Sequence, residues 1–328
     1  MTQRELEYKL IAEKRLIEAS ENGRLDEVNA LLASCVGMNE DVHWGNCGVN
    51  TALMKAGEMG HAEIAAQLLF CGADVNTRDT RNETALIKAC SNGHTKTARM
   101  LLEHGADTGI CDIYGSAAII GPCRWGFKET AGLLLEYGAD VNKRNNYGET
   151  PLMAASQKGY TEIVGLLLDH GADVNIVDND GNTALINSCR NCQLDTVLQL
   201  LEYSADVDHI NTSGNTALAE ACQWRGRSPR LGKNTRIIRA LLDKGSDPNI
   251  SGGNDWTPIM HLAWTGDVGL IKMLIGAGAD TRTRNKNGTD VFDIIRSRYP
   301  SKFRKWQEER LKHEDSRPAA PTNYEFDI

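Results

Sequence analysis

The chain has 328 residues, 41% hydrophobic but only 6% aromatic, with a formal net charge of −8. That composition suits many thin layers of Leu, Ala and Ile better than one aromatic core, and the acidic balance disfavours wrapping a nucleic acid backbone. No stretch nears the roughly 18 consecutive apolar residues of a membrane span. The charged N-terminus, Met1 to Ala19, lacks the apolar core of a secretory signal, and nine cysteines is an odd number for a closed disulfide framework. A cytoplasmic, reduced protein is expected.

In chain order, the first element is a degenerate helical pair from Leu16 to Val36, with Asn22-Gly23 and Leu31-Leu32. Seven fuller units follow, starting near Asn46, Asp79, Asp112, Asn145, Asp178, Asn211 and Gly252. Most carry Thr-Ala-Leu or Thr-Pro-Leu/Ile, at Thr51, Thr84, Thr150, Thr183, Thr216 and Thr257. Here threonine is an N-cap, and Pro151 and Pro258 occupy the first helical position. A short helix ends at Gly60, Gly93, Gly126, Gly159 or Gly266, where a positive φ is useful. A second helix carries paired leucines such as Leu101-Leu102 and stops at a Gly-Ala-Asp motif, at Gly72, Gly105, Gly138, Gly171 and Gly278, with variants at Ser204 and Gly245. These motifs are spaced by 33 residues, except for one interval of 41 that coincides with a long interval between Thr216 and Thr257. Two independent markers thus agree on an eight-residue insertion. After the seventh unit, a half unit runs from Asn285 to about Tyr299, and Ser316 to Ile328, with Pro318 and Pro321, reads as a disordered tail.

A two-helix unit of this size cannot bury its apolar face alone, so neighbours must stack into a continuous core. Thr150-Pro151-Leu152-Met153-Ala154-Ala155 and Gly171-Ala172-Asp173-Val174-Asn175 resemble the ankyrin-repeat family, and the resemblance covers roughly residues 12 to 300. It implies an all-α solenoid of helix-turn-helix units with β-hairpin fingers. The expected organisation is an N-terminal helix and capping repeat over 1–45, seven repeats over 46–284 with the insertion near 225–233, a capping half-repeat and helix over 285–314, and a disordered tail over 315–328.

Departures from the pattern are the next clue. Ser116-Ala117-Ala118-Ile119-Ile120 replaces one threonine signature, and Gly121-Pro122 falls where a helix interior is expected; an internal proline costs about 3 kcal/mol. Cys192 and Ser204 stand where helix-ending glycines belong, at a cost of roughly 1–2 kcal/mol each if the turn keeps its shape. With the insertion that follows, residues 188–235 are expected to form a soft joint.

In the family, partners usually lie in the groove of first helices and fingers. Counting five, eight and nine residues into each signature selects solvent-facing positions, among them Arg124, Trp125, Arg190, Trp224, His261 and Trp264. Trp44 and Trp256 sit in or beside finger turns. Exposed tryptophans are typical binding anchors, although such rings also fill gaps between repeats. The expected partner-binding residues are therefore Trp125, Trp224, Trp256, Trp264, Arg124, Arg190 and His261, with Tyr114 and Tyr147 at finger tips. The insertion adds a basic set, Arg225, Arg227, Arg230 and Lys233, which reads as an anion-binding patch or simply as a solvated loop. Ser228-Pro229 within it is a weak phosphosite candidate.

Other residues read as architecture. Asp74, Asp107, Asp140, Asp173, Asp206, Asp247 and Asp280 share one repeat position and suit a turn hydrogen bond. Cys90, Cys123, Cys189 and Cys222 share another and suit small core fillers. His61 and His94 match a family position that bonds between loops. Cys189-x-x-Cys192 has no second Cys/His pair at metal-site spacing, and no phosphate loop or nucleophile elbow occurs. Asn76, Asn142, Asn175 and Asn249 match a family position open to hydroxylation, and Phe326-Asp327-Ile328 resembles a PDZ-type ending. The expectation is a non-enzymatic scaffold, adaptor or stoichiometric inhibitor: monomeric, binding a protein, with no catalytic residues, cofactor, metal, nucleic acid or membrane. The rivals are a microbial or viral effector of the same fold and, remotely, an enzyme.

Overall fold

A computed structural model describes residues 3–36, 46–223, 231–301 and 303–304. Trp44, Trp224, Arg225, Arg227, Ser228, Arg230 and the tail from Ser316 lie outside the described residues, as does the side chain of Lys233. The chain divides into two compact units, Met1–Asn179 and Asp180–Ile328.

The first unit contains α1 (Gln3–Glu21), α2 (Leu25–Val36), α3 (Asn46–Met59), α4 (Ala62–Phe70), α5 (Ala85–Ser91), α6 (Thr95–Glu103), α7 (Ile120–Trp125), α8 (Lys128–Glu136), α9 (Pro151–Lys158) and α10 (Thr161–Asp169). First helices pack in series, α1 on α3, then α5, α7 and α9, and second helices likewise from α2 to α10. The second unit repeats this layering with α11 (Ala184–Arg190), α12 (Leu194–Glu202), α13 (Ala217–Cys222), α14 (Leu231–Asp243), α15 (Pro258–Thr265), α16 (Val268–Gly276) and α17 (Val291–Arg298). Between the layers lies a strip of buried Ala, Leu and Ile, including Leu53, Leu68, Leu86 and Leu101. Cys90, Cys123, Cys189 and Cys222 are buried in it as fillers. Burial pushes all four thiols far above their ordinary pKa.

The caps explain where the first helices begin. Thr84, Thr150, Thr183 and Thr216 each accept a hydrogen bond on Oγ1 from the backbone N–H three residues on, at 3.2, 3.2, 3.3 and 3.2 Å. Such a cap stabilises a helix by about 1 kcal/mol. Gly126, Gly159 and Gly266 close α7, α9 and α15 with φ of 87, 78 and 72°. A second reason for glycine appears at Gly60, where an added Cβ would come within 2.6 Å of the His94 ring of the next repeat.

Four features differ from expectation. The fingers are not β-hairpins: among the described residues the single bridge is Cys111 with Ala117. Each finger is a five-residue turn closed by backbone bonds such as Asn145 N–H to Glu149 O, 3.1 Å, and Gly148 N–H to Asn145 O, 2.9 Å, too short to seed a ladder. α3 starts at Asn46 and runs through Thr51, so that repeat has no finger turn. The residue three beyond each finger base has positive φ in the later repeats (Asn82, Gly115, Gly148, Gly181, Gly214, Asp255, Gly288). In the first repeat that place holds Val49, whose branched side chain is excluded from the left-handed region, and the helix continues instead. Pro122 is not internal after all: without a threonine cap, α7 starts only at Ile120, so the proline falls in the first turn, where its missing N–H has no intrahelical partner to lose. Finally, the proposed joint at 188–235 lies wholly inside the second unit, where α13 and α14, on either side of the insertion, pack on each other. Cys192 and Ser204 do adopt the glycine conformation, with φ of 57 and 60°, so the turns keep their shape and carry the strain.

Candidate functional site

The surface of first helices and fingers is built on turns that use one residue type for a local reason. At the finger bases Asp79, Asp112, Asn145, Asn211 and Asn285 the side chain accepts two backbone N–H groups. Asp112 Oδ1 takes Tyr114 N–H and Ser116 N–H at 2.8 Å each, and Asn145 Oδ1 takes Tyr147 N–H at 2.9 Å and Glu149 N–H at 3.0 Å. Neighbouring fingers are tied by Asn146 N–H to Tyr114 O, 2.9 Å, and Asn179 N–H to Tyr147 O, 3.0 Å. This fixes the finger tips Ile113, Tyr114 and Tyr147, all exposed, the last at 61%.

On the opposite loops, the seven repeated aspartates do what their position suggested. Each Oδ1 accepts the N–H two residues on, from Asp74 with Asn76 to Asp280 with Arg282. Asn76 reaches forward to the next loop, its Oδ1 accepting Asp107 N–H at 2.8 Å and its Nδ2 donating to Gly105 O at 3.4 Å. Asn142 and Asn249 do the same for Asp173 and Asp280. The rings of His61 and His94 bond between loops, to Glu21 O at 3.2 Å and Glu58 O at 3.1 Å.

In the first unit, three cations of the first helices, Lys55, Lys88 and Arg124, are held by carboxylates. Lys55 Nζ lies 3.0 Å from Glu21 and 3.2 Å from Glu58, and the hydrogen bond to Glu21, against a smaller burial effect, raises its pKa. Lys88 Nζ is 3.0 Å from Asp79 and 2.7 Å from Glu83. Burial opposes its charge, but the two acidic hydrogen bonds outweigh it and the pKa rises. Arg124 pairs with Glu149. Its neighbour Trp125 is left 57% exposed at the end of α7. Trp125, Tyr114 and Tyr147 therefore present aromatic surface, while Arg124 is taken up internally.

In the second unit, Arg190 grips Glu220 with two bonds, Nε to Oε2 and Nη2 to Oε1, both 3.0 Å. The Glu220 side chain is only 1% exposed, against 27% for Arg190. Asn215 Nδ2 adds a bond to Glu220 Oε1 at 3.1 Å, and Asn182 Oδ1 accepts from Arg190 Nη2 and Asn211 Nδ2, each at 2.9 Å. Arg190 is thus part of a buried polar network linking α11 to α13.

The last repeat gathers the other aromatic candidates. Trp256 meets Trp264 edge-on at 5.9 Å and 75°, and lies 5.1 Å from His261. Trp264 is 49% exposed. Its ring is covered on one face by the Arg298 guanidinium, 3.7 Å from the centroid. Tyr299 Oη donates to Trp264 O at 3.1 Å and pins α17 against α15. Sequence reasoning missed Arg298. The count that found the other groove residues would have reached it, since Asp290 takes the threonine place of the half unit, capping α17 through Asp293 N–H at 2.9 Å, and Arg298 is ninth from it.

Among the described residues, no helix is long and apolar enough to cross a membrane. Family descriptions of ankyrin repeats match most of the chain: "Ankyrin repeats (3 copies)" over residues 53–145, 105–178, 122–211 and 175–250, and "Ankyrin repeats (many copies)" over 232–275. Ankyrin repeat and SAM domain-containing protein 6 of Rattus norvegicus is 32% identical over 60 residues, 18% of this chain. The chain spans only 7% of that relative's length. Ankyrin repeats generally mediate protein–protein interaction.

Proposed function

We propose, from the premise that this chain belongs to the ankyrin-repeat family, that it is a non-enzymatic adaptor or stoichiometric inhibitor that binds a protein partner on its first-helix and finger surface. The observation that carries this reading is Trp125, left 57% exposed on the first-helix surface of a unit whose finger tips Tyr114 and Tyr147 are also exposed. Aromatic side chains lose little conformational entropy on binding and bury a large area, which is why a few of them dominate interface energetics. Arg124, the neighbour of Trp125, is already spent on Glu149, so this part of the surface favours apolar contact over charge. With a net charge of −8, the partner is a protein rather than a nucleic acid, and the proposal includes a cytoplasmic monomer without a membrane partner.

The test is partner capture with the full chain. Proteins recovered on wild type but lost on both Trp125→Ala and Tyr147→Ala, with unchanged melting temperatures, are the expected result. Equal recovery on all three would refute Trp125 and the fingers as the binding surface.

A further inference from the structure

The half unit that follows the last repeat carries a charge pattern opposite to the whole. Between Thr281 and Lys305 there are eight basic residues against Asp290 and Asp293, a net +6 in a protein of net −8. Three of the basic residues are internally engaged: Arg282 lies 3.5 Å from Asp280, Arg284 binds Asp290 at 3.2 Å, and Arg296 lies 3.6 Å from Asp293. Arg298 has no carboxylate partner among the described residues and is exposed. What holds it is the Trp264 ring, 3.7 Å beneath the guanidinium carbon, in a helix fixed by the Tyr299–Trp264 hydrogen bond.

Stacking on an indole leaves the rim of the guanidinium, where its five N–H donors lie, free to bond outward. It also pre-orients that fork, so less freedom is lost when a planar carboxylate takes two donors. Beside it, the exposed edge of Trp264 and the perpendicular Trp256 offer an apolar shelf. A charged fork next to a two-indole shelf, on a locally basic cap, fits one kind of ligand: an acidic residue with an apolar neighbour.

We infer that the last repeat and its cap form a docking site for an acidic segment of a partner protein, in which a partner carboxylate takes the Arg298 fork and an adjacent apolar side chain packs against Trp264 and Trp256. This rests on the protein-binding reading above, but names a second surface and the chemistry it recognises. Arg298 is the residue that selects for acid, and Trp264 is the residue that positions it.

The test is selection from a random displayed dodecapeptide library on the full-length protein, with anisotropy titration of the recovered peptides. Wild type should enrich Asp or Glu next to Leu or Phe. Arg298→Gln should abolish that enrichment and weaken the recovered peptide about tenfold, the size expected for losing a charge-assisted bidentate bond. Arg298→Lys, which keeps the charge without the fork, should restore less than half of the lost binding energy, and the wild-type affinity should fall with added salt. Enrichment of basic peptides, tighter binding of an oligothymidine competitor than of any peptide, recovery of no binder, or acidic binders indifferent to Arg298→Gln would each overturn the inference. Binders that need Trp125 but neither Trp264 nor Arg298 would overturn it while leaving the first surface standing.

Discussion

The Arg190–Glu220 pair allows a prediction worked from burial. The Glu220 carboxylate is 1% exposed and receives two bonds from Arg190 and one from Asn215. Breaking a buried ion pair by removing one partner costs about 3–5 kcal/mol, because the other charge is stranded out of water. The two halves of this pair are unequal. Glu220→Met leaves Arg190, 27% exposed and still bound to Asn182, able to recover hydration, which puts the loss near the lower end, about 3 kcal/mol. Arg190→Met takes both guanidinium bonds from a carboxylate only 1% exposed, which puts the loss near the upper end, about 5 kcal/mol. The double variant removes both charges, so its loss should fall well below the sum of the single losses, with a coupling of at least about 2 kcal/mol. Urea unfolding followed by circular dichroism at pH 7 reads all three. Loss of less than about 1 kcal/mol in Arg190→Met, or strict additivity, would refute the reasoning by showing that Glu220 is in contact with water.

Other consequences follow from single positions. Cys192→Gly and Ser204→Gly, at φ of 57 and 60°, should each stabilise the protein by about 1 kcal/mol in the same assay, since glycine adopts that conformation without a Cβ clash; destabilisation would show that these turns are not strained. Burial alone would lift the Asp79 carboxyl, but Lys88 and the backbone N–H groups of Glu83 and Arg81 hold it below the usual carboxylate range. Its stabilising effect is therefore present above about pH 3.9 and lost as pH falls through the lower folded value. Asp79→Asn should flatten the acid limb of the melting temperature against pH. A thiol reagent at pH 8, read by peptide mass spectrometry, should label exposed Cys71 in the native protein and Cys90, Cys123, Cys189 and Cys222 only after unfolding.

What the sequence could disclose was whatever is decided within a few residues of chain. The threonine caps act across three residues and the Gly-Ala-Asp turns across two, so both were legible as repeated letters. The buried cysteines were legible because they recur in step with those markers. Arg190 was misleading because its partner lies 30 residues away, on the next first helix, and nothing local distinguishes an arginine that meets water from one that meets Glu220. Arg124 was hidden in the same way by Glu149. The start of α3 was legible in principle, since Val49 stands where the later repeats need a left-handed residue, but only once that need was visible in the backbone. Pro122 was misplaced because the missing cap at Ala117, not the proline, decides where α7 begins.

The loop asparagines Asn76, Asn142 and Asn249 give their repeats a direction. Asn76 braces the loop at Gly105 to Asp107, and Asn142 the one at Gly171 to Asp173. Peeling away the later repeat frees an amide that water readily solvates, whereas stripping the earlier one deprives its successor of a donor and an acceptor together. Trimming from the C-terminal side of such a pair thus leaves a finished edge, and trimming from the N-terminal side leaves a frayed one.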